Sequence, residues 1–242
     1  MGKEFKNGLK DGIPIALGYF AVSFSLGITI VAAGISPIQG MVMSLTNLTS
    51  AGEFAGIRVI AAAGTIVEMI LTQVIINLRY SLMSLSMSQK LDEKVKFWHK
   101  LIIAFGNTDE IFAVAMNHQR SLTLPYMVGL QLLPIIGWTS GTLLGAVASN
   151  LMPERVSAAM SVMLYGMFIA IVVPVAKKSK AVLIVAAIAV FCSCLFRYVP
   201  LLNEISDGVS IIICTIAAAA AGAIIFPRDI PDETEKTEKI DI

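Results

Sequence analysis

Apolar runs of membrane-crossing length follow one another from residue 13 to residue 226, and the turns between them are too short to build a soluble domain. Only 14% of the chain is charged against 56% hydrophobic, and mean hydropathy is +0.79. A soluble domain carries roughly 25% charged residues, so the composition places this chain in the bilayer. Backbone groups in lipid must be satisfied internally, and runs of this length do so as helices. The expected fold is therefore all-α: a polytopic integral membrane protein with six to eight transmembrane helices, two of them interrupted or re-entrant. A cytoplasmic segment (1–12) precedes the transmembrane domain (13–226), and a solvated cytoplasmic tail (227–242) follows it. The first run, 13–33, exceeds a signal-peptide core and reads as a retained helix.

Charge inside these runs is rare and costs at least a few kcal/mol when unpaired, so each buried ion marks a candidate site. Asp109 and Glu110 stand side by side in Phe-Gly-Asn-Thr-Asp-Glu-Ile-Phe (105–112), flanked by Leu-Ile-Ile-Ala before and Ala-Val-Ala-Met after. With Gly106 and Asn107 ahead of them, they suggest an interrupted helix lining a polar pocket; a loop at the membrane edge is the other reading. Residues 37–64 hold Asn47, Thr49, Ser50, Glu53 and Arg58 among apolar neighbours. The run Ala-Gly-Glu-Phe-Ala-Gly (51–56) there predicts a second break, or else a short external loop between tilted helices.

Residues 65–89 carry a polar stripe. Gln73, Asn77, Tyr80, Ser84 and Ser88 recur at helical spacing and share one face. Glu68 and Arg79, eleven residues apart, lie about 16 Å apart along the axis and cannot pair. Arg79 must find Asp109, Glu110 or Glu53, or snorkel to the headgroups. Ser23 with Gly27, and Gly137 with Gly141 and Gly145, form small-residue ridges suited to close helix contact. Those ridges serve packing within the fold or the docking of another subunit.

Several classes are excluded. The net charge of +1 gives no nucleic-acid surface. Cys192, Cys194 and Cys214 lack metal or redox spacing, and both histidines, His99 and His118, sit at membrane borders. No metalloprotease, serine-hydrolase or P-loop motif is present, so no enzyme, cofactor or metal site is expected. The lysines at 3, 6 and 10 and at 177, 178 and 180 favour the cytoplasm. Two topologies satisfy them. If 37–64 and 98–117 both cross, eight spans result and the lysine-rich loop 90–100 lies outside; if both fold back, six spans result and that loop lies inside. Charge favours the second and apolar length the first. In either, two interrupted segments at corresponding depth point to a central site of the kind found in secondary transporters.

For an amino-acid substrate, Arg79 and Asn77 would anchor the carboxylate, and Asp109, Glu110 or Glu53 the ammonium. Asp109 and Glu110 are also candidates for proton coupling. An uptake permease or a membrane subunit for another small amino acid or amine is the alternative.

From about residue 5 to 227 the chain resembles the AzlC family, the large subunit of branched-chain amino-acid exporters. The resemblance rests on Asn-Gly-Leu-Lys-Asp-Gly-Ile-Pro (7–14), Ala-Gly-Glu-Phe (51–54), Asn-Leu-Arg-Tyr (77–80) and Thr-Asp-Glu (108–110). It continues in Gly-Trp (137–138) with Gly141 and Gly145, and in Leu-Tyr-Gly-Met-Phe-Ile-Ala (164–170). It implies proton-coupled export of leucine-like and valine-like amino acids across the inner membrane, with a small hydrophobic AzlD-type partner subunit. One departure stands out: the family's first break usually has glutamine where this chain has Glu53.

Overall fold

The computed structural model describes residues 2–149, 151–200, 202 and 204–227, with part of the side chains of 154–171 excepted. Ten helices and no strand occur among the described residues: α1 (Gly2–Ala32), α2 (Pro37–Thr46), α3 (Ser50–Ala61), α4 (Ile66–Ser88), α5 (Phe97–Phe105), α6 (Asp109–Asn117), α7 (Leu124–Ser149), α8 (Glu154–Lys178), α9 (Lys180–Tyr198) and α10 (Asp207–Ile225). The chain is an all-α polytopic membrane protein. Among the described residues, α1, α4, α7, α9 and α10 are long and apolar enough to cross a bilayer.

The spine is α1 against α7. Gly8 abuts the Tyr126–Leu130 turn and Gly27 the Thr142–Ala146 turn, so the two helices run parallel. Gly137, Gly141 and Gly145 lie on the backbone of Ala16, Phe20 and Phe24. The small-residue ridge thus packs within the fold, and the Ser23–Gly27 pair is its counterpart on α1. Residues 2–12, set apart in the sequence, are helical and continuous with the first span.

Short helices come in two pairs. Ser36 caps α2 in a reciprocal box with Gln39, with Pro37 at the first helical position. Gly40 rests on Ile30 near the end of α1, and four residues on Ser44 reaches Thr142. The chain then breaks at Asn47-Leu48-Thr49. Beyond it α3 runs back out: Gly52 touches Gln73 and Asn77, Gly56 touches Met69, and Gly64 touches Glu68 at the start of α4. The segment 37–61 is therefore a hairpin of two half-helices. The break begins four residues before the 51–56 run that the sequence suggested. Thr49 accepts from the Gly52 N–H and starts the helix there, so Glu53 lies in its first turn. The glycines serve close approach of α3 to the side chains of α4, with an added Cβ at Gly52 only 2.8 Å from Gln73 Oε1.

The second hairpin enters from the other rim. The Lys90 ammonium donates to the carbonyls of Met116 and His118, and Leu91 and Leu122 form a two-residue bridge through Asp92 N–H to Leu122 O (3.0 Å) and Leu122 N–H to Lys90 O (2.9 Å). The chain before α5 thus meets the chain after α6, and the segment between folds back on itself. Its break, Gly106-Asn107-Thr108, falls inside the 105–112 stretch where the sequence placed it. Met87, Val95, Ile103, Ile111, Leu122 and Tyr126 form the core that seats it.

The remaining helices close one side. The buried Glu68 carboxylate accepts from Gly208 N–H (3.0 Å), and Arg58 pairs with Asp207 through Nε (2.9 Å), tying the starts of α4 and α10 and the end of α3 together. Residues 228–242, Asn203 and most side chains of the 164–170 motif lie outside the described residues.

Candidate functional site

The two hairpin tips enter from opposite rims and meet in the middle of the bundle. Leu48 and Ser50 of the first and Thr108, Asp109 and Glu110 of the second line one junction with Tyr19, Tyr80 and Trp138. The polar stripe of α4 is the seam holding both tips. Gln73 Nε2 donates to Gly52 O (2.7 Å) and Asn77 Oδ1 accepts from Thr49 (3.0 Å), securing the first. Ser84 Oγ accepts from Asn107 Nδ2 (3.1 Å), securing the second. Gln131 of α7 adds a bond to Ile103 O (2.7 Å) from the opposite side.

Of the residues singled out by sequence, Arg79 and Asp109 form an ion pair (2.9 Å), each side chain close to half exposed. Arg79 also lies over the Tyr80 ring, 5.0 Å from its centre. Glu110 turns the other way and accepts from the Tyr19 hydroxyl, which also contacts Thr108 Oγ1 (2.7 Å). Asn77 has both ends of its amide engaged, to Thr49 and to Gln73 (3.1 Å), and faces the first tip rather than Arg79. Glu53 is fully buried and meets neither Arg79 nor the other two acids. Its carboxyl meets Ser44 Oγ on α2 and accepts from Trp138 Nε1 on α7 (2.9 Å). Sequence reasoning missed Tyr19, Ser44, Trp138 and Thr142 as site residues. A hydroxyl or indole in an apolar run carries no periodic signal, and these come together from α1, α2 and α7.

Each tip joins the end of one half-helix to the start of another. The carbonyl-rich ends of α2 and α5 and the N–H-rich starts of α3 and α6 therefore converge, with partial charges of both signs. The start of α6 has no side-chain cap; the Thr108 hydroxyl oxygen accepts from Tyr19 instead. Asn107 Oδ1 is buried with no partner among the described residues. Tyr19 meets Trp138 edge-on with ring centres 5.3 Å apart, forming an aromatic wall. The junction is closed, with only about 10 Å³ of free space. Hollows of about 550 Å³ and 600 Å³ open at the two rims, one beside Arg58, Arg197 and Asp207, the other beside Lys3, Asp11, His118 and Arg120.

The AzlC protein family matches residues 14–152, which contain both hairpins. The chain belongs to the AzlC family. An uncharacterized membrane protein of Archaeoglobus fulgidus is 32% identical over 227 residues, covering 93% of this chain and 95% of the relative. Inner membrane protein YgaZ of Escherichia coli is 25% identical over 191 residues, 76% of this chain and 78% of its own. A membrane protein of Helicobacter pylori is 24% identical over 151 residues, 61% and 65% of the two chains. No solved structure matches. Membership fixes the coarse assignment, a multi-pass membrane protein of transporter type.

Proposed function

We propose that this AzlC-family chain is a secondary transporter that exports branched-chain amino acids across the cytoplasmic membrane, coupled to protons and working with a small hydrophobic AzlD-type subunit. The observation that carries the reading is the junction itself, where helix ends of both polarities and the Arg79–Asp109 pair meet beside an aromatic wall. A zwitterion needs both charges matched at one place. Arg79 and the uncapped start of α6 suit its carboxylate, and Asp109 and Glu110 suit its ammonium. Leu48, Tyr19, Tyr80 and Trp138 suit a branched apolar side chain. Asn77 acts one step back, holding the first tip in place.

The closed junction lies between hollows at the two rims, as alternating access requires. A leucine does not fit in about 10 Å³, so the tips must part to admit it and close again before the other hollow opens. Charge orients the chain. Lys3, Lys6 and Lys10, the lysines of 90–100, Arg120 and the lysines of 177–180 fall on one rim in a six-crossing path. Arg58, Arg155 and Arg197 fall on the other. The positive-inside rule makes the lysine rim cytoplasmic, and the hairpin 97–117 enters from that side.

The test is efflux of preloaded labelled leucine and valine from cells lacking their own exporters, with the chain expressed alone and with its partner, with and without a pH gradient. Gradient-dependent efflux supports the reading. No efflux of either amino acid from a pair shown to be folded in the membrane overturns the substrate assignment.

A further inference from the structure

The buried carboxylate of Glu53 is not used by the zwitterion scheme, and its surroundings contain a hydrogen-bond chain whose protons can be counted. Glu53 meets Ser44 Oγ; Ser44 Oγ lies 2.7 Å from Thr142 Oγ1; Thr142 Oγ1 lies 3.1 Å from the Trp138 carbonyl oxygen. These three contacts join oxygen to oxygen, and each needs one hydrogen between its atoms. The two hydroxyls own one hydrogen each and the carbonyl none. The third must come from Glu53. With the carboxyl protonated, Glu53 donates to Ser44, Ser44 to Thr142 and Thr142 to Trp138 O, while the other carboxyl oxygen accepts from Trp138 Nε1. Every group is then satisfied.

With the carboxyl ionised, one contact is left as two oxygens facing each other without a hydrogen. Among the described residues no counter-charge offsets the ion. Around Glu53 stand Ser44 on α2, Trp138 and Thr142 on α7, Tyr19 of α1 behind Trp138, and Gln73 and Asn77 of α4 across Gly52, none of them charged at neutral pH. On α3 itself Arg58 is committed to Asp207, and Glu68 is bound to the start of α10. A buried ion without a partner is the costliest arrangement available to a carboxylate.

Asp109 does not share this count, because it has Arg79. At Glu110 the Tyr19 hydroxyl is the donor toward both the carboxylate and Thr108 Oγ1.

We propose that Glu53, rather than the Arg79-paired Asp109, is a proton-carrying residue of this chain: it holds a proton while the first hairpin is closed and gives it to water when α3 parts from Ser44 and α7. This rests on the transport reading. In the closed state the Glu53 O–H bond is directed to Ser44. When the arm moves, that hydrogen bond is lost, the carboxyl meets water in the opening hollow, and its proton leaves as hydronium. The carboxylate takes a proton up again before the hairpin can close.

The experiment pairs a spectroscopic and a transport measurement on the full chain in lipid. Infrared spectra at neutral pH should show a protonated carboxyl band in the wild type that is missing in Glu53→Gln and displaced in Glu53→Asp. Glutamine has the same shape and can donate to Ser44 while accepting from Trp138, so E53Q should fold; E53D serves if it does not. In proteoliposomes, E53Q should keep leucine exchange with equal pH on both sides. It should lose the accumulation driven by a pH step, about tenfold per unit at one proton per substrate. No protonated band in the wild type, or a band unchanged in E53Q and E53D, overturns the proposal. So does pH-driven accumulation that survives in E53Q. A wild-type chain with the band but no amino-acid flux sinks the transport reading instead and leaves the bound proton standing.

Discussion

Replacing Gly145 with alanine tests whether the α1–α7 spine is set by backbone contact. A Cβ built at Gly145 falls 1.9 Å from the Phe24 carbonyl oxygen, 2.7 Å from its carbon and 2.8 Å from its Cα. All three are backbone atoms, so no side chain can rotate aside. To reach even the 3.0 Å floor of real contacts, α1 and α7 must separate locally by roughly 1 Å, which also loosens the next contact at Gly141. Overpacking of this kind costs about 1–3 kcal/mol, and a backbone obstacle belongs at the upper end. Alanine returns about 1 kcal/mol of helix propensity. The expected net loss is about 2 kcal/mol, roughly a thirtyfold change in the folded ratio. Gly18→Ala is the control, since an added Cβ there has nothing within 4 Å, and it should be neutral or slightly stabilising. Equilibrium unfolding in mixed micelles reads the difference. A G145A protein as stable as G18A would refute the packing argument.

Removing either half of the ion pair, by Arg79→Gln or Asp109→Asn, should cut leucine transport at least about tenfold while changing stability by no more than about 1 kcal/mol, as expected for a half-exposed pair; unchanged transport would remove both residues from the site. Tyr19→Phe leaves Glu110 and Thr108 without their shared partner and should cost about 1–3 kcal/mol, read as a lowered melting temperature. In a background lacking Cys192, Cys194 and Cys214, single cysteines at Lys94 and Gln119 should react from the same face as one at Lys3, and one at Ala63 only from the opposite face; labelling of Lys94 from the Ala63 face would restore the eight-span path.

Much of this arrangement is visible in the sequence, and its failures have physical causes. Gly106-Asn107-Thr108 before two acids marks a break in an apolar run, while the residues alone leave open whether that break lies in a pocket or at the membrane edge. The first break is misread because Gly52 and Gly56 look like helix breakers, whereas in the fold they let α3 lie close to Gln73 and Met69. The signal that fixes the helix start is Thr49 three residues before Gly52. The α4 stripe is legible as a face, but not its division of labour, with Gln73 and Asn77 for one tip and Ser84 for the other. Charge and length disagree about crossing or folding back. The folding back of 97–117 shows in Lys90 reaching Met116 and His118, a contact between distant stretches that no local pattern encodes. Glu53 stands out as an intramembrane acid, yet its partner Trp138 is 85 residues away.

The tie between Lys90–Leu91 and residues 116–122 has a mechanical consequence. A half-helix pair whose two feet are fastened together cannot open like scissors at its base; it can only tilt as one lever about the fastening, carrying Thr108, Asp109 and Glu110 through the same arc. The described residues show no such fastening between the feet of α2 and α3, whose arms grip each other near the tip through Ser44 and Glu53. One hairpin is thus built as a rocker and the other as a clasp, and a bundle with one of each has two distinct ways to open, one toward each rim.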